Sequence, residues 1–216
     1  MRLFITGGSG YLGQHLTPLA LASSAFSEIR YTYFQNDPLN HAAGVPLDVR
    51  QPTAVANCIA DFQPDVIIHT IGSNRGDDLE RVIVGGTEHV AQAAGSARLI
   101  HLSTDCVFDG KTPPYAETAV PTPINAYGRA KIHAETIVRQ HPNHVIVRTS
   151  LIYSLRLMDH GTRWMAQALQ ASRPVTLFAN QVRQPVWADS LSRSLLELST
   201  HDFTGILHIA GAQIMS

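Results

Sequence analysis

Tyr127 and Lys131, four residues apart in "NAYGRAK", are the side chains of this 216-residue chain best placed to move a proton. On a helix, positions i and i+4 share a face, so the phenol and the ammonium would meet. A free phenol, with a pKa near ~10, is a poor acid or base at neutral pH. A neighbouring cation favours the phenolate and is expected to pull that value down, which would let Tyr127 exchange a proton with a carbonyl or an alcohol. Thr104 ends the apolar run "ARLIHLST" (97–104) and would hydrogen-bond the same substrate oxygen. Ser103 is the fallback for that hydroxyl role, since neighbours on a strand face opposite ways. Many helices carry a Tyr and a Lys at this spacing by chance. Its position after "LSTDCVFDG" (102–110), in a chain that opens on a glycine-rich turn, makes it specific.

That turn reads "TGGSGYLG" (6–13), with Gly7, Gly10 and Gly13 spaced G-x-x-G-x-x-G between the buried strand "RLFIT" (2–6) and a helix expected from about Tyr11 to Ala22. Gly7 permits the tight turn, Gly10 lets the backbone approach a pyrophosphate, and Gly13 lets the helix pack on the sheet. The helix N-terminus then offers free N–H groups and a partial positive charge to phosphates. Tyr11 and Leu12 belong to the same expected dinucleotide-binding loop. An oxidised nicotinamide there would add positive charge beside Tyr127 and lower its pKa further. Enzymes of this type often end the second strand with an acid that holds the ribose hydroxyls. Here "EIRYTYF" (28–34) puts Phe34 or Gln35 at the expected acid position, and Asp37 comes too late unless the loop folds back. The missing acid removes repulsion against a 2′-phosphate and tilts the expected cofactor toward NADP. NAD stays open, because no arginine follows and Arg30 lies at the start of the strand.

The elements that must position these groups alternate. Apolar strands are expected at 28–34, 44–48, 65–70, 97–104 and 144–150, with helices at 52–62, about 78–95 and about 125–140 between them. Continuous apolar strands separated by helices imply a parallel sheet covered on both faces, a doubly wound α/β (Rossmann) fold with its ligands at the carboxyl ends of the strands. Residues 1–153 are expected to form this dinucleotide-binding domain. Residues 154–216 form a small, incomplete C-terminal substrate lobe, its elements interleaved with the last sheet strand. They comprise helices at about 160–172 and 189–199 and strands "PVTLF" (174–178) and "GILHIA" (205–210).

Charged residues make up 15% and apolar ones 44%, a globular rather than a disordered balance. A net charge of −1 with no basic stripe argues against nucleic acid or an anionic membrane as the main partner. No apolar run approaches the ~18 residues of a membrane span. Two cysteines, Cys58 and Cys106, and no secretory signal point to reduced thiols in a cytoplasm. Eleven histidines show no zinc spacing: His141 and His144 share a polar turn, and His133 has no ligand at i+4, so no metal is expected.

The chain resembles the extended short-chain dehydrogenases/reductases, and among them the dTDP-4-dehydrorhamnose reductases. The matching pieces are "TGGSGYLG", "PDVIIHT" (64–70), "LSTDCVFDG", "PYAETAVPTPINAYGRAKIHAE" (114–135), "VIVRTSLIY" (145–153) and "QVRQPVWADSLSRSLLEL" (181–198), in that order. The resemblance implies Thr104, Tyr127 and Lys131 as a catalytic triad. It implies that Asp48 and Val49 cradle the adenine and that His69, Thr70 and Ile71 line the cofactor, with Ser103 alongside. Arg148, Thr149, Ser150 and Leu151 would pass near the nicotinamide. Asp48 could instead cap the following helix, and His69 could be a satisfied core histidine. Sugar-nucleotide dehydratases of this superfamily carry Asp-Glu after the catalytic Thr. Here Asp105 is followed by Cys106, which favours reduction, and Cys106 reads as a packing residue rather than a nucleophile.

The expected activity is hydride transfer from NADPH or NADH to C4 of a 4-keto sugar nucleotide, with Tyr127 as proton donor. Two alternatives stand beside it: an epimerase or reductase on another sugar or small carbonyl, and a non-catalytic NADP-binding regulatory subunit like that of methionine adenosyltransferase. Ile83, Gly85, Cys106 and Ser154 depart from the family pattern, and the chain ends six residues after Ala210 where relatives continue. The oligomeric state is left open, a homodimer included.

Overall fold

The computed structural model describes residues 1–72 and 78–215. Its strands are β1 (Arg2–Thr6), β2 (Glu28–Tyr33), β3 (Gly44–Pro46), β4 (Val66–His69), β5 (Arg98–Thr104), β6 (His144–Thr149), β7 (Ile152–Tyr153), β8 (Val186–Trp187) and β9 (Gly205–Ile209). Its α-helices are α1 (Gly13–Leu21), α2 (Pro52–Phe62), α3 (Gly86–Ala93), α4 (Ala126–Val138), α5 (His160–Gln170) and α6 (Ala188–Thr200). Seven strands form one parallel sheet in the order β3-β2-β1-β4-β5-β6-β9. The chain order reverses between β1 and β4, and in a sheet of this kind the crevice beyond the carboxyl ends at that point is where ligands bind.

The strands hold this arrangement because both faces are apolar. Leu3, Ile5, Ile68, Ile100, Val145 and Val147 meet Leu12, Leu16 and Ala20 near α1 and Leu191, Leu195 and Leu198 of α6. The alternate residues Phe4, Ile67, Leu99 and Ile146 meet Val55, Ile59 and Phe62 of α2, Val90 of α3 and Val138 of α4. Side chains on a strand alternate with period two, so one strand feeds both layers. Each of the fully buried aliphatic and aromatic side chains contributes roughly 1.5–3 kcal/mol, as an upper bound.

The structure differs from the sequence expectation in two places. Residues 174–178 form no strand, and the short parallel pair β7–β8 appears instead. The expected helix of 78–95 begins with a π-helical turn, Glu80–Gly85, before α3. α6 packs against α1, with His15 Nδ1 2.7 Å from Asp189 Oδ1. β9 lies beside β6 at one edge of the sheet, the sheet strand expected at 205–210. Among the described residues, no helix is long and apolar enough to cross a membrane.

Candidate active site

The glycine turn leaves β1 at the switch point. Gly7 has φ +76°, a conformation that side chains with a Cβ avoid. The Gly10 amide donates to the Gly7 carbonyl at 2.9 Å, and a Cβ on Gly13 would come 2.3 Å from that same carbonyl. Gly13 thus serves the approach of α1 to the loop rather than to the sheet. α1 has no side-chain cap and no acid in its first turn, so its positive end is free for an anion. Leu12 packs its side chain into the core, which leaves only its backbone for the cofactor role expected of it. Tyr11 holds a buried hydroxyl that has no hydrogen-bond partner among the described residues, and burial, with Asp159 nearby, pushes its pKa up to about 12. A free helix terminus, an unsatisfied buried hydroxyl and a glycine turn fit a dinucleotide.

At the other end of the crevice, Phe34 stands half exposed just past β2. The Arg50 guanidinium lies 5.1 Å over its ring, so a cation reaches the end of β2 from the β3–α2 loop, where local sequence offered none. Arg50 is engaged: its Nε and Nη2 each donate to Asp48 at 2.8 Å, and its Nη1 donates to Asp78 at 3.3 Å. Hydrogen bonds from Arg50 hold the Asp48 carboxyl below its ordinary range. Asp48 does not cap α2, whose N-cap is Gln51; it closes a turn by accepting from the Arg50 amide at 3.0 Å. Val49 is buried against Gly86, and its carbonyl accepts from His89 Nδ1 at 2.7 Å.

Thr104, the last residue of β5, caps a 3-10 turn (Asp105–Val107), its Oγ1 accepting from the Cys106 amide at 3.2 Å. Tyr127 lies close enough to the same hydroxyl to feel it electrostatically. α4 reaches this point because Asn125 caps it and because position 128 is glycine. A Cβ there would sit 2.2 Å from the Cys106 carbonyl. One turn on, the wholly buried Lys131 Nζ donates to the Leu102 carbonyl at 2.6 Å and lies 3.2 Å from His101 Nε2. Burial brings Lys131 down to about 8, against an upward pull from Glu135.

Tyr127 overturns the expectation of a lowered pKa. Burial, with Cys106 and Asp105 nearby, pushes it up to about 12, and the neighbouring Thr104 hydroxyl opposes this only in part. The ammonium of Lys131 is directed at Leu102 and His101 instead of the phenol.

Several residues expected at the cofactor lie in the core. Ser103 donates to Glu135 Oε1 at 2.6 Å, away from Thr104, so the fallback hydroxyl faces the wrong side. Arg148 is 2% exposed, forms a two-point ion pair with Glu135 at 3.0 and 2.8 Å, and lies over the Phe108 ring. His69 is fully buried between Thr6 and Thr87, the satisfied core histidine, and burial depresses it to about 3. Thr149 is buried, whereas Leu151 is exposed. Thr70 donates to the Thr6 carbonyl at 2.8 Å, and Ile71 abuts Gly7, so these two do border the turn. Ser150 donates to Asp105 Oδ2 at 2.7 Å. Sequence reading missed Arg183, whose Nη1 donates to both Asp105 oxygens at 2.8 Å and lies 3.8 Å from Cys106 Sγ. Its only signal was a cation inside the quoted "QVRQP" segment.

A parallel sheet with a glycine turn at its switch point, and Thr, Tyr and Lys gathered at the end of β5, define an oxidoreductase of the short-chain dehydrogenase/reductase type. The profile of the RmlD substrate binding domain matches residues 1–216, and the chain belongs to that family. A dTDP-4-dehydrorhamnose reductase of Sinorhizobium fredii is 32% identical over 98% of this chain and 73% of its own length. Methionine adenosyltransferase 2 subunit beta of Danio rerio is 27% identical over 100% of this chain and 70% of its own. The structure of a dTDP-4-dehydrorhamnose reductase from Bacillus anthracis in complex with NADP superposes with a TM-score of 0.81 at 25% identity, covering 100% of this chain and 76% of that one.

Proposed function

We propose that this protein is an NAD(P)H-dependent reductase that converts the C4 carbonyl of a dTDP-linked 4-keto sugar to an alcohol. The observation that carries the reading is Tyr127 held beside the Thr104 hydroxyl with Lys131 one helical turn away, at the carboxyl edge of a sheet with a glycine turn. When bound, the reduced nicotinamide supplies a hydride to C4. Thr104 orients the carbonyl oxygen, and Tyr127 gives it a proton and is reprotonated from solvent. A phenol held near 12 is fully protonated at neutral pH, which suits a proton donor and hence the reductive direction. Lys131 holds the nicotinamide ribose. The Gly7–Gly13 turn and the start of α1 hold the pyrophosphate, and Tyr11, Thr70, Ile71 and Ser150 line the path between. Asp105 is the one acid beside Thr104, and Arg183 and Ser150 occupy it; this argues against dehydration, which needs a free acid and base. A cytoplasmic setting follows from the substrate class.

Phe34 in place of an acid, with Arg50 above it, supports NADP over NAD. Because Asp48 and Asp78 already neutralise Arg50, the preference should be below about tenfold. The test mixes the protein with dTDP-4-keto-6-deoxyglucose and follows the absorbance of NADPH or NADH. Oxidation by wild type that is lost in Tyr127→Phe is expected; no oxidation, or undiminished oxidation by the variant, overturns the reading. The likeness to the methionine adenosyltransferase subunit supports a second reading, a regulatory subunit that binds NADP without turnover. Tight dinucleotide binding with no oxidation of cofactor would select it.

A further inference from the structure

We infer that His101 is a positioning residue: its Nε2 holds the Lys131 ammonium in the place from which it meets the cofactor ribose, and the His69 ring fixes His101 in turn. The inference rests on the reductase reading above.

The hydrogen bonds settle which ring nitrogens carry protons. Thr87 donates its hydroxyl to the Ile83 carbonyl at 2.5 Å, so toward His69 it can only accept. His69 therefore carries its proton on Nε2, 3.1 Å from Thr87, and its Nδ1 accepts from Thr6 at 2.6 Å. That ring is neutral and immobile, and the His101 ring stacks on it at 5.3 Å and 27°. His101 is also wholly buried and stays neutral, because burial and the nearby Lys131 both disfavour its cation. Facing an ammonium 3.2 Å away, its Nε2 must be the acceptor, which puts its proton on Nδ1.

Among the described residues Nδ1 has no partner, although it is buried. An apolar side chain at 101 would fill the strand face without leaving a ring nitrogen unsatisfied. What it would lack is the second acceptor for Lys131. With Leu102 and His101 taking two of its three N–H bonds, the ammonium has one left. It has room to use it: even a Cβ added to Gly72, just past β4, would lie 3.4 Å from Nζ.

The test measures dinucleotide affinity by quenching of intrinsic fluorescence, turnover, and melting temperature. His101→Phe keeps a flat ring for His69 to stack on but removes the acceptor. It should weaken NADPH binding about tenfold and slow turnover, with a melting temperature no lower than wild type. His101→Asn offers a carbonyl acceptor and should recover most of the affinity. In a Lys131→Met background, His101→Phe should change nothing further, since His101 acts through Lys131. His101→Leu replaces the phenylalanine variant if that one does not fold. Wild-type affinity in His101→Phe, or an equal loss with and without Lys131, would overturn the inference. Unchanged NADPH binding in Lys131→Met alone would strike the reductase reading instead.

Discussion

Residues 1–150 and 151–215 treat their apolar side chains differently. In the first stretch the strands place theirs between two layers of helices, and the exposed large ones are the scattered Met1, Phe34, Val120 and Ile124. In the second, Leu155, Trp164, Leu169, Leu177, Phe178, Val182 and Ile214 all face outward, and α5 buries only Ala168. What the second stretch contributes to the core comes from α6, β8 and β9. Polar ties supplement them: Arg183 to Asp105, Asp189 to His15, and Gln184 to Ser150. The sheet therefore holds both the stability and the proton chemistry, and residues 151–187 lean on it.

Four perturbations break or sharpen that contrast. Tyr127→Phe should cut turnover by about 10²–10⁴ with an unchanged urea midpoint, since only the proton donor is lost. Glu135→Ala strands the buried Arg148 guanidinium and the Ser103 hydroxyl, and should cost about 3–5 kcal/mol in urea unfolding. A small loss there would mean that this network is wet in solution.

Acid should act on the first stretch through its buried imidazoles. His69 sits near 3 and His101 well below 6.5, whereas unfolded histidines titrate near 6.5. Unfolding therefore takes up protons below that value. Stability is fully present above pH 6.5 and falls as pH drops toward 3, by about 1.4 kcal/mol per pH unit for each ring. Calorimetry across that range, with His69→Asn as the comparison, reads the slope.

Phe178→Ser, on the outward face, should shift stability by no more than about 0.5 kcal/mol. A loss of several times that would show the side chain to be covered in solution and would erase the difference between the two stretches.

Much of this was legible because it is local. Runs such as "DVIIHT" and "HVIVRTS" are too apolar for anything but strands covered on both faces, and Tyr127 and Lys131 are four apart in a segment opened by a capping asparagine. The stretch "PVTLF" has strand composition but no partner edge, and composition does not supply one. The reach of Arg50 to Phe34, of Arg183 to Asp105 and of His101 to Lys131 depends on the packing of distant elements. His69, Ser103 and Arg148 are expected near the cofactor from the family resemblance; which way each points was decided by the pleat.

The place of β9 also bears on how the chain is made. It lies more than fifty residues beyond β6 in sequence, yet Val145 of β6 pairs with Gly205 and Thr149 with Ile209. During synthesis the outer row of β6 amides and carbonyls stays open until residues 205–209 leave the ribosome, and α1 waits just as long for α6. A newly made chain thus carries an open β6 edge, exposed to wrong edge-to-edge pairing, until β9 arrives. Cutting after Tyr153 would not release a self-sufficient nucleotide-binding unit but a sheet short of one strand.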